Sequence, residues 1–519
     1  MHLDFNNTKI RTLEGINSLQ NLQSLNVSSC LDFKYFDGIE GLHNLQHLDA
    51  SYTAITSLHL LNTLPKLLYL NISGTHKLQS FEGIENSLSI VKIEAIKCYA
   101  NSTSGLCNLP QLRVLKCNSS KLSSIDGLVN VPLLQELYLN NTQIISFDNL
   151  KNFTLSTLEV ANCRWFQALS DDNITTLNIW GCRMDQLHSS SVKHLNMVDA
   201  HISDLSINTD CVVQLSAQQL QSFKQLDQFK HLHIVDCQYS LPNLSHILSL
   251  SVSGEFRSLN LSASLTNLDL SNSKTLNFNS LKFCANLVSL IAQFTLIKNF
   301  NGLENLFKLK TIDVQNNPEL QDFTGMKNCS PLQIICSHSN LKSNLILVDH
   351  IQLKSLHIQD TGVDYVEGET DQIVDLGISA QLLEKMDLRR QFPNLTSLTV
   401  SNIQFNLQEN KIPNDLISLT LDGEISNIVS LKQYFKKIKF LYFNNTSIKL
   451  KYVANKYILV KNAYIDEQYK VLPTKQYYID PQMKVTYNKL AETNKILKNN
   501  IKNINITITK MKDVKFGLE

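Results

Sequence analysis

The pattern L-x-x-L-x-L returns about every 21 residues from Leu3 to roughly Leu441, and nothing else in the chain narrows its fold as far. Residues 134–150, LQELYLNNTQIISFDNL, show the unit clearly: Leu134, Leu137 and Leu139 supply the leucines, Thr142 follows, and Ile144 and Phe147 close the turn. A unit this short cannot bury its own apolar face, so neighbouring units must stack and share one core. The prediction is a solenoid of roughly 22 such units.

The spacing also predicts the face that each side chain takes. Alternate residues of a strand point to opposite sides, so the leucines enter the stack while the residues between them face outward on a parallel sheet. The triplets Leu22-Leu25-Val27, Leu45-Leu48-Ala50, Leu67-Leu70-Ile72 and Leu112-Leu115-Cys117 repeat this arrangement. A second pattern follows each strand, carried by Ile10, Leu13, Gly15, Ile16 and Leu19 in the first unit and by Leu122, Ile125, Gly127, Leu128 and Val131 in a later one. Its period shifts from two towards three, which predicts a short 3-10 or extended segment on the outer, convex side. Over 155–275 the units shorten to about 18 or 19 residues and the outer pattern is lost, leaving room there only for an extended segment or a turn. The unit around Val213 is the weakest match.

These residues resemble the leucine-rich repeat family. Units carrying the I-x-x-L-x-G-L-x-x-L outer segment are similar to the 22-residue class of bacterial internalins and of the leucine-rich regulatory subunit of protein phosphatase 1. The resemblance implies an α/β solenoid, a horseshoe with a parallel β-sheet on its concave face, with Thr142 in the place usually given to Asn or Cys. It covers residues 1–448, read as longer units over 1–154, shorter ones over 155–275 and longer ones again over 276–448. The shared property it implies is protein binding.

Composition sets the limits on function. Lys plus Arg (47) balances Asp plus Glu (46), so the overall charge gives no reason to expect nucleic acid or an anionic membrane as partner. No basic segment followed by an apolar run opens the chain, and no stretch of about 18 apolar residues appears, so a cytoplasmic protein is expected. Met1 already stands inside a repeat, which leaves a start further upstream open, with a cap or signal peptide on it. Of the eleven cysteines, Cys30, Cys163, Cys182 and Cys237 sit where Thr142 sits, and are read as small, buried, reduced groups meeting the turn backbone. Sequons such as those at Asn26 and Asn71 are read as products of strand and turn preference.

No phosphate-cradling glycine loop, H-E-x-x-H, C-x-x-C pair or G-x-S-x-G elbow occurs, so no enzyme, cofactor or metal is expected. His194, His231 and His233 are read as polar residues of a solvated face rather than as metal ligands, because no Cys or carboxylate is spaced to complete a tetrahedral set. The candidate partner-binding residues are the outward ones: Glu136, Tyr138 and Asn140, then Glu159, then Asn178 and Trp180, then His194, His231 and His233. Tyr138 and Trp180 are the aromatic anchors expected of a docking patch, although Trp180 folded over a neighbouring strand is an equal reading.

Beyond the repeats, 449–480 reads as a basic, Tyr-rich cap or linker. Over 481–519, Tyr487, Leu490, Asn494, Leu497, Ile501 and Ile504 alternate at spacings of four and three, the seam of an amphipathic helix with a polar residue at one core position. That helix either dimerises the protein as a coiled coil or caps the array, and the alternation of residues 504–508 also suits a strand. The functional expectation is a non-enzymatic scaffold that binds a protein partner on the concave face. The alternatives are a regulatory subunit of a phosphatase or other enzyme and, for a longer natural chain, a surface adhesin.

Overall fold

The computed structural model describes residues 1–145, residue 147 and, with short breaks, 153–423, together with short strands between 440 and 465. The amphipathic segment over 481–519, with Tyr487, Leu490, Asn494, Leu497, Ile501 and Ile504, lies outside the described residues, as does most of the expected cap over 449–480. The chain divides into two units, Met1–Asp269 and Leu270–Glu519.

The first unit opens with nine three-residue strands, one to a turn. His2–Asp4, Ser24–Asn26, His47–Asp49, Tyr69–Asn71, Lys92–Glu94, Val114–Lys116, Glu136–Tyr138, Thr157–Glu159 and Thr176–Asn178 pair in parallel, each with the next. Their middle residues stand in one row, Leu25, Leu48, Leu70, Ile93, Leu115, Leu137, Leu158 and Leu177, each exposed by 1% or less. The flanking residues of each strand are half-buried or exposed, so the predicted register is the one observed. Burying each such side chain contributes on the order of 1.5 to 3 kcal/mol.

The turn after each strand has a constant construction. Ser29, Tyr52, Lys97 and Asn141 all take left-handed backbone angles, with φ of 59°, 54°, 58° and 60°. This keeps their N–H groups in the inter-turn ladder, as in Ser29 to the Ser51 carbonyl at 2.8 Å and Tyr52 to the Ser73 carbonyl at 2.7 Å. In several turns the next position holds Thr or Cys, whose side chain donates to a backbone carbonyl. Thr53 Oγ1 donates to the Ala50 carbonyl at 2.7 Å, Thr75 Oγ1 to that of Ile72 at 2.8 Å, and Cys182 Sγ to that of Val160 at 3.0 Å. An unpaired carbonyl there would cost roughly 1 to 3 kcal/mol, which explains why small donors recur at this place.

On the outer side of the longer units the chain turns back through Gly105, at φ +93°, where an added Cβ would lie 2.2 Å from the Phe81 carbonyl. Asn86, Asn108 and Asn130 form a ladder beside it, with amide-to-amide bonds of 2.9 and 2.7 Å. In three of the shortened units the outer segments are strands. Phe166–Ser170, Arg183–Ser189 and His201–Ile207 make a separate three-stranded parallel sheet in which Leu169, Leu187 and Leu205 are aligned and buried. The weakly matching unit is complete: Val212–Ser216 pairs in register with His194–Asn196 and His231–Cys237, with Val213 and Leu215 taking the leucine places, and the helix Ala217–Ser222 follows.

The second unit repeats the scheme with strands Ser289–Ile291, Thr311–Asp313, Gln333–Ile335, Ser355–His357, Asp375–Ser379, Ser397–Ile403 and Ser418–Gly423, again all parallel. Its outer side is mixed. It includes the 3-10 turn Asn279–Phe283, the paired strands Lys342–Leu347 and Gly362–Gly368, and the short helices Ala380–Lys385 and Leu388–Gln391. Phe278 and Phe300 stack at 6.4 Å, and Phe323 meets Phe300 edge-on at 5.3 Å.

Candidate docking surface

In the first unit the outward side chains form two rows across the parallel strands. One runs through Tyr69, Lys92, Val114, Glu136, Thr157 and Thr176; the other through Asn71, Glu94, Lys116, Tyr138, Glu159 and Asn178. Strands lie about 4.8 Å apart, so neighbours in a row are within side-chain reach.

Between Asp49 and Glu159 these rows hold a connected network. Tyr69 donates its hydroxyl to Glu94 Oε2 at 2.7 Å, and Lys92 and Lys116 stand 2.8 and 3.7 Å from Glu94 Oε1. The same lysines lie over tyrosine rings, Lys92 at 5.4 Å from the Tyr69 centroid and Lys116 at 5.0 Å from that of Tyr138. Tyr138 donates to Glu136 Oε2 at 2.9 Å. Two rings and two cations are therefore held by carboxylates before anything docks.

The local fields follow. Burial alone would raise the Glu94 carboxyl, but the hydrogen bonds from Lys92 and Tyr69 and the charges of both lysines hold it below its ordinary range. Burial, with the acceptor and charge of Glu136, pushes the Tyr138 phenol up to about 12, and the same causes with Glu94 as partner raise Tyr69.

The residues singled out from the sequence divide into four groups. Glu136 and Tyr138 belong to the network. Asn140 and Glu159 are joined to each other, with Asn140 Nδ2 donating to Glu159 Oε2 at 2.7 Å. Asn140 also accepts from the Ala161 N–H at 2.8 Å and donates its own N–H to Asn118 Oδ1 at 2.9 Å, so it ties three turns together. Trp180 lies just past the Thr176–Asn178 strand, 43% exposed, with its N–H on Asn178 Oδ1 at 3.2 Å. His194 and His231 both pair with Val212 and so stand a full strand apart, whereas His233 shares a row with Ser251 and Asp269. Burial lowers the His233 pKa, and Asp269 opposes the shift.

Tyr69, Lys92, Glu94 and Lys116 were not singled out from the sequence. The signal was available, because they occupy the same strand positions as Glu136 and Tyr138. Among the described residues no three His, Cys, Asp or Glu side chains are grouped to hold a metal ion, and no helix is long and apolar enough to cross a membrane. None of the eleven cysteines is disulfide-bonded, and only Cys107 is more than slightly exposed.

The chain superposes over 90% of its length on 91% of a chain of the mouse RP105/MD-1 complex, at TM-score 0.59 and 17% sequence identity. It matches 85% of a chain of the TLR13–ssRNA13 complex over the same 90%, at TM-score 0.49 and 15% identity. An internalin of Listeria monocytogenes is matched over 87% of its chain and 77% of this one, at TM-score 0.24 and 16% identity. No family model and no curated protein sequence matches. The first of these likenesses concerns the fold, and with the strand register above it shows a parallel-strand solenoid of the leucine-rich-repeat type.

Proposed function

We propose that this chain is a non-enzymatic scaffold that binds a protein partner on the outward face of the sheet, centred on Tyr69, Lys92, Glu94, Lys116, Glu136 and Tyr138. The observation that carries the reading is the fixed network on that face. Binding energy concentrates in a few aromatic and charged residues, and ordering flexible side chains costs about 0.5 to 1.5 kcal/mol each. Here the rings and cations are ordered already, so docking costs this chain less side-chain entropy. The RP105/MD-1 complex offers a chain of similar fold that works within a complex. The patch extends in this proposal through Asn140 and Glu159 to Asn178, Trp180, His194, His231 and His233. A cytoplasmic location is proposed on the cysteines, none of them disulfide-bonded, which suit a reducing compartment. Self-association through Tyr487, Leu490, Asn494, Leu497, Ile501 and Ile504 rests on their heptad spacing.

Site-directed photo-crosslinking tests the sheet-face reading. p-Benzoylphenylalanine is placed at Val114, on the sheet face, or at Val129, exposed on the outer turn of the same repeat. A discrete protein adduct from position 114 alone is expected in native lysate. Equal adducts from both positions, or none from 114, would remove the sheet face as the docking site.

A further inference from the structure

A second surface of the first unit adjoins the sheet, on the flank where the chain leaves each strand. The backbone there is regular from turn to turn. Tyr52, Gly74 and Lys97 donate their N–H groups to the next turn at 2.7, 2.7 and 2.8 Å, and the segments after them stay in step, with Tyr99 donating to the Thr75 carbonyl at 3.3 Å and Ser123 to that of Asn101 at 3.3 Å. Side chains at matching places are therefore neighbours. His76 meets Tyr99 edge-on at 5.0 Å, and Lys121 lies 4.0 Å over the same ring. The Tyr52 ring covers Gly74 so closely that an added Cβ would stand 2.5 Å from its Cδ1. Tyr52 and Tyr99 remain 54% and 44% exposed, and His76, Lys77, Lys97 and Lys121 are exposed as well.

Charge is segregated along this surface. Residues 50–58, 72–81, 95–104 and 117–125, the four flank segments in succession, contain no Asp or Glu. The carboxylates of the same repeats stand elsewhere, Glu82, Glu85 and Asp126 on the outer turns and Asp49, Glu94 and Glu136 on the sheet, with Asp49 bonded to Ser51 at the edge of the flank. The flank is thus a strip of exposed rings and lysines without a local counter-charge, bounded on both sides by acids.

We propose that this flank docks an acidic segment of a protein partner that also carries aromatic or apolar side chains. Lys77, Lys97 and Lys121 meet its carboxylates, and Tyr52 and Tyr99 meet its apolar groups. The strip favours a peptide over a nucleic acid for two reasons. One face of the Tyr99 ring is already covered by Lys121 and one face of Tyr52 by Gly74, which removes platforms on which bases would stack. A polyphosphate chain also needs cations along its whole track, whereas this strip holds three lysines and ends against carboxylates on both sides. The surface is separate from the sheet-face network, and neither depends on the other.

The test is fluorescence anisotropy with the full chain and three probes: a short labelled peptide of Glu and Phe residues, its Gln-for-Glu counterpart, and an oligothymidylate of equal charge. The native chain is expected to bind the Glu-Phe peptide, with affinity falling as salt rises, and to ignore the Gln counterpart. Lys97→Glu with Lys121→Glu should weaken binding about tenfold or more, and Tyr99→Ala should weaken it without changing its salt dependence. Tyr138→Ala, on the sheet, should leave it unchanged. Matching melting curves, and Lys97→Gln with Lys121→Gln as a milder pair, keep misfolding from imitating the result. Failure of the native chain to bind the Glu-Phe peptide, undiminished binding by the lysine variants, or flank-dependent binding that prefers the oligothymidylate would each overturn the proposal.

Discussion

Tyr69 donates a 2.7 Å hydrogen bond to Glu94, one strand away, while Lys92 lies over the Tyr69 ring and 2.8 Å from the same carboxylate. One carboxylate thereby orders a ring and a cation on an otherwise solvated sheet. Tyr69→Phe keeps the ring and loses only the hydroxyl, so it should cost about 1 kcal/mol. Urea unfolding of the two proteins, compared at equal slope, measures it.

Tyr138 carries the matching pH signature. Its folded pKa is about 12 against 10.0 for the free phenol, so its contribution to stability is complete below pH 10 and is lost as pH rises through about 12. Ultraviolet titration of tyrosinate should show the Tyr138 and Tyr69 phenols ionising late in the native protein, and Tyr138→Phe should remove one of these late steps and leave that of Tyr69. A native titration curve that matches the unfolded one would refute the assignment.

Asp375 gives the opposite limb in the second unit. Burial opposes its ionisation, but bonds from His357 at 2.9 Å and Ser355 at 2.7 Å, with Ser397, bring its pKa down to about 2 from 3.8. Stability from this group is present above pH 3.8 and is lost as pH falls towards 2. Asp375→Asn should flatten the acid branch of a stability–pH curve while leaving the alkaline branch as it was.

Leu137→Ala should cost roughly 2 to 5 kcal/mol, because Leu137 is fully buried between Leu115 and Leu158 and its removal leaves a cavity. Gly105→Ala should cost on the order of 1 to 3 kcal/mol through its positive φ and the close Phe81 carbonyl. Thermal melts of both, beside Gln135→Ala as an exposed surface control, check the register and the turn.

How much of this could be read beforehand depended on whether side-chain chemistry or backbone geometry carried the signal. Leu137 and its counterparts announce the register through period and apolarity alone, and Cys182 was recognisable as a turn group because Thr142 holds the same place. Lys97 and Tyr52 give no sign of their positive φ, since neither residue type prefers that region and the ladder of neighbouring turns imposes it. The strands Arg183–Ser189 and His201–Ile207 followed from the shortened period, but their closing into a sheet of their own did not. On the sheet face, Tyr138 was visible as an aromatic residue in an outward place. Lys92, Glu94 and Lys116 looked like ordinary solvated charges, and only their distances join them to Tyr69 and Tyr138.

The central claim is that the network on the sheet face binds a protein partner. Quantitative affinity capture from native lysate tests it most directly, using the full chain beside a Tyr69→Ala, Lys92→Ala, Tyr138→Ala variant that melts as a folded protein. The expected result is a specific protein held by the native chain and reduced at least about tenfold with the variant, the loss typical of removing central contact residues. An unchanged set and amount of captured protein would contradict the account.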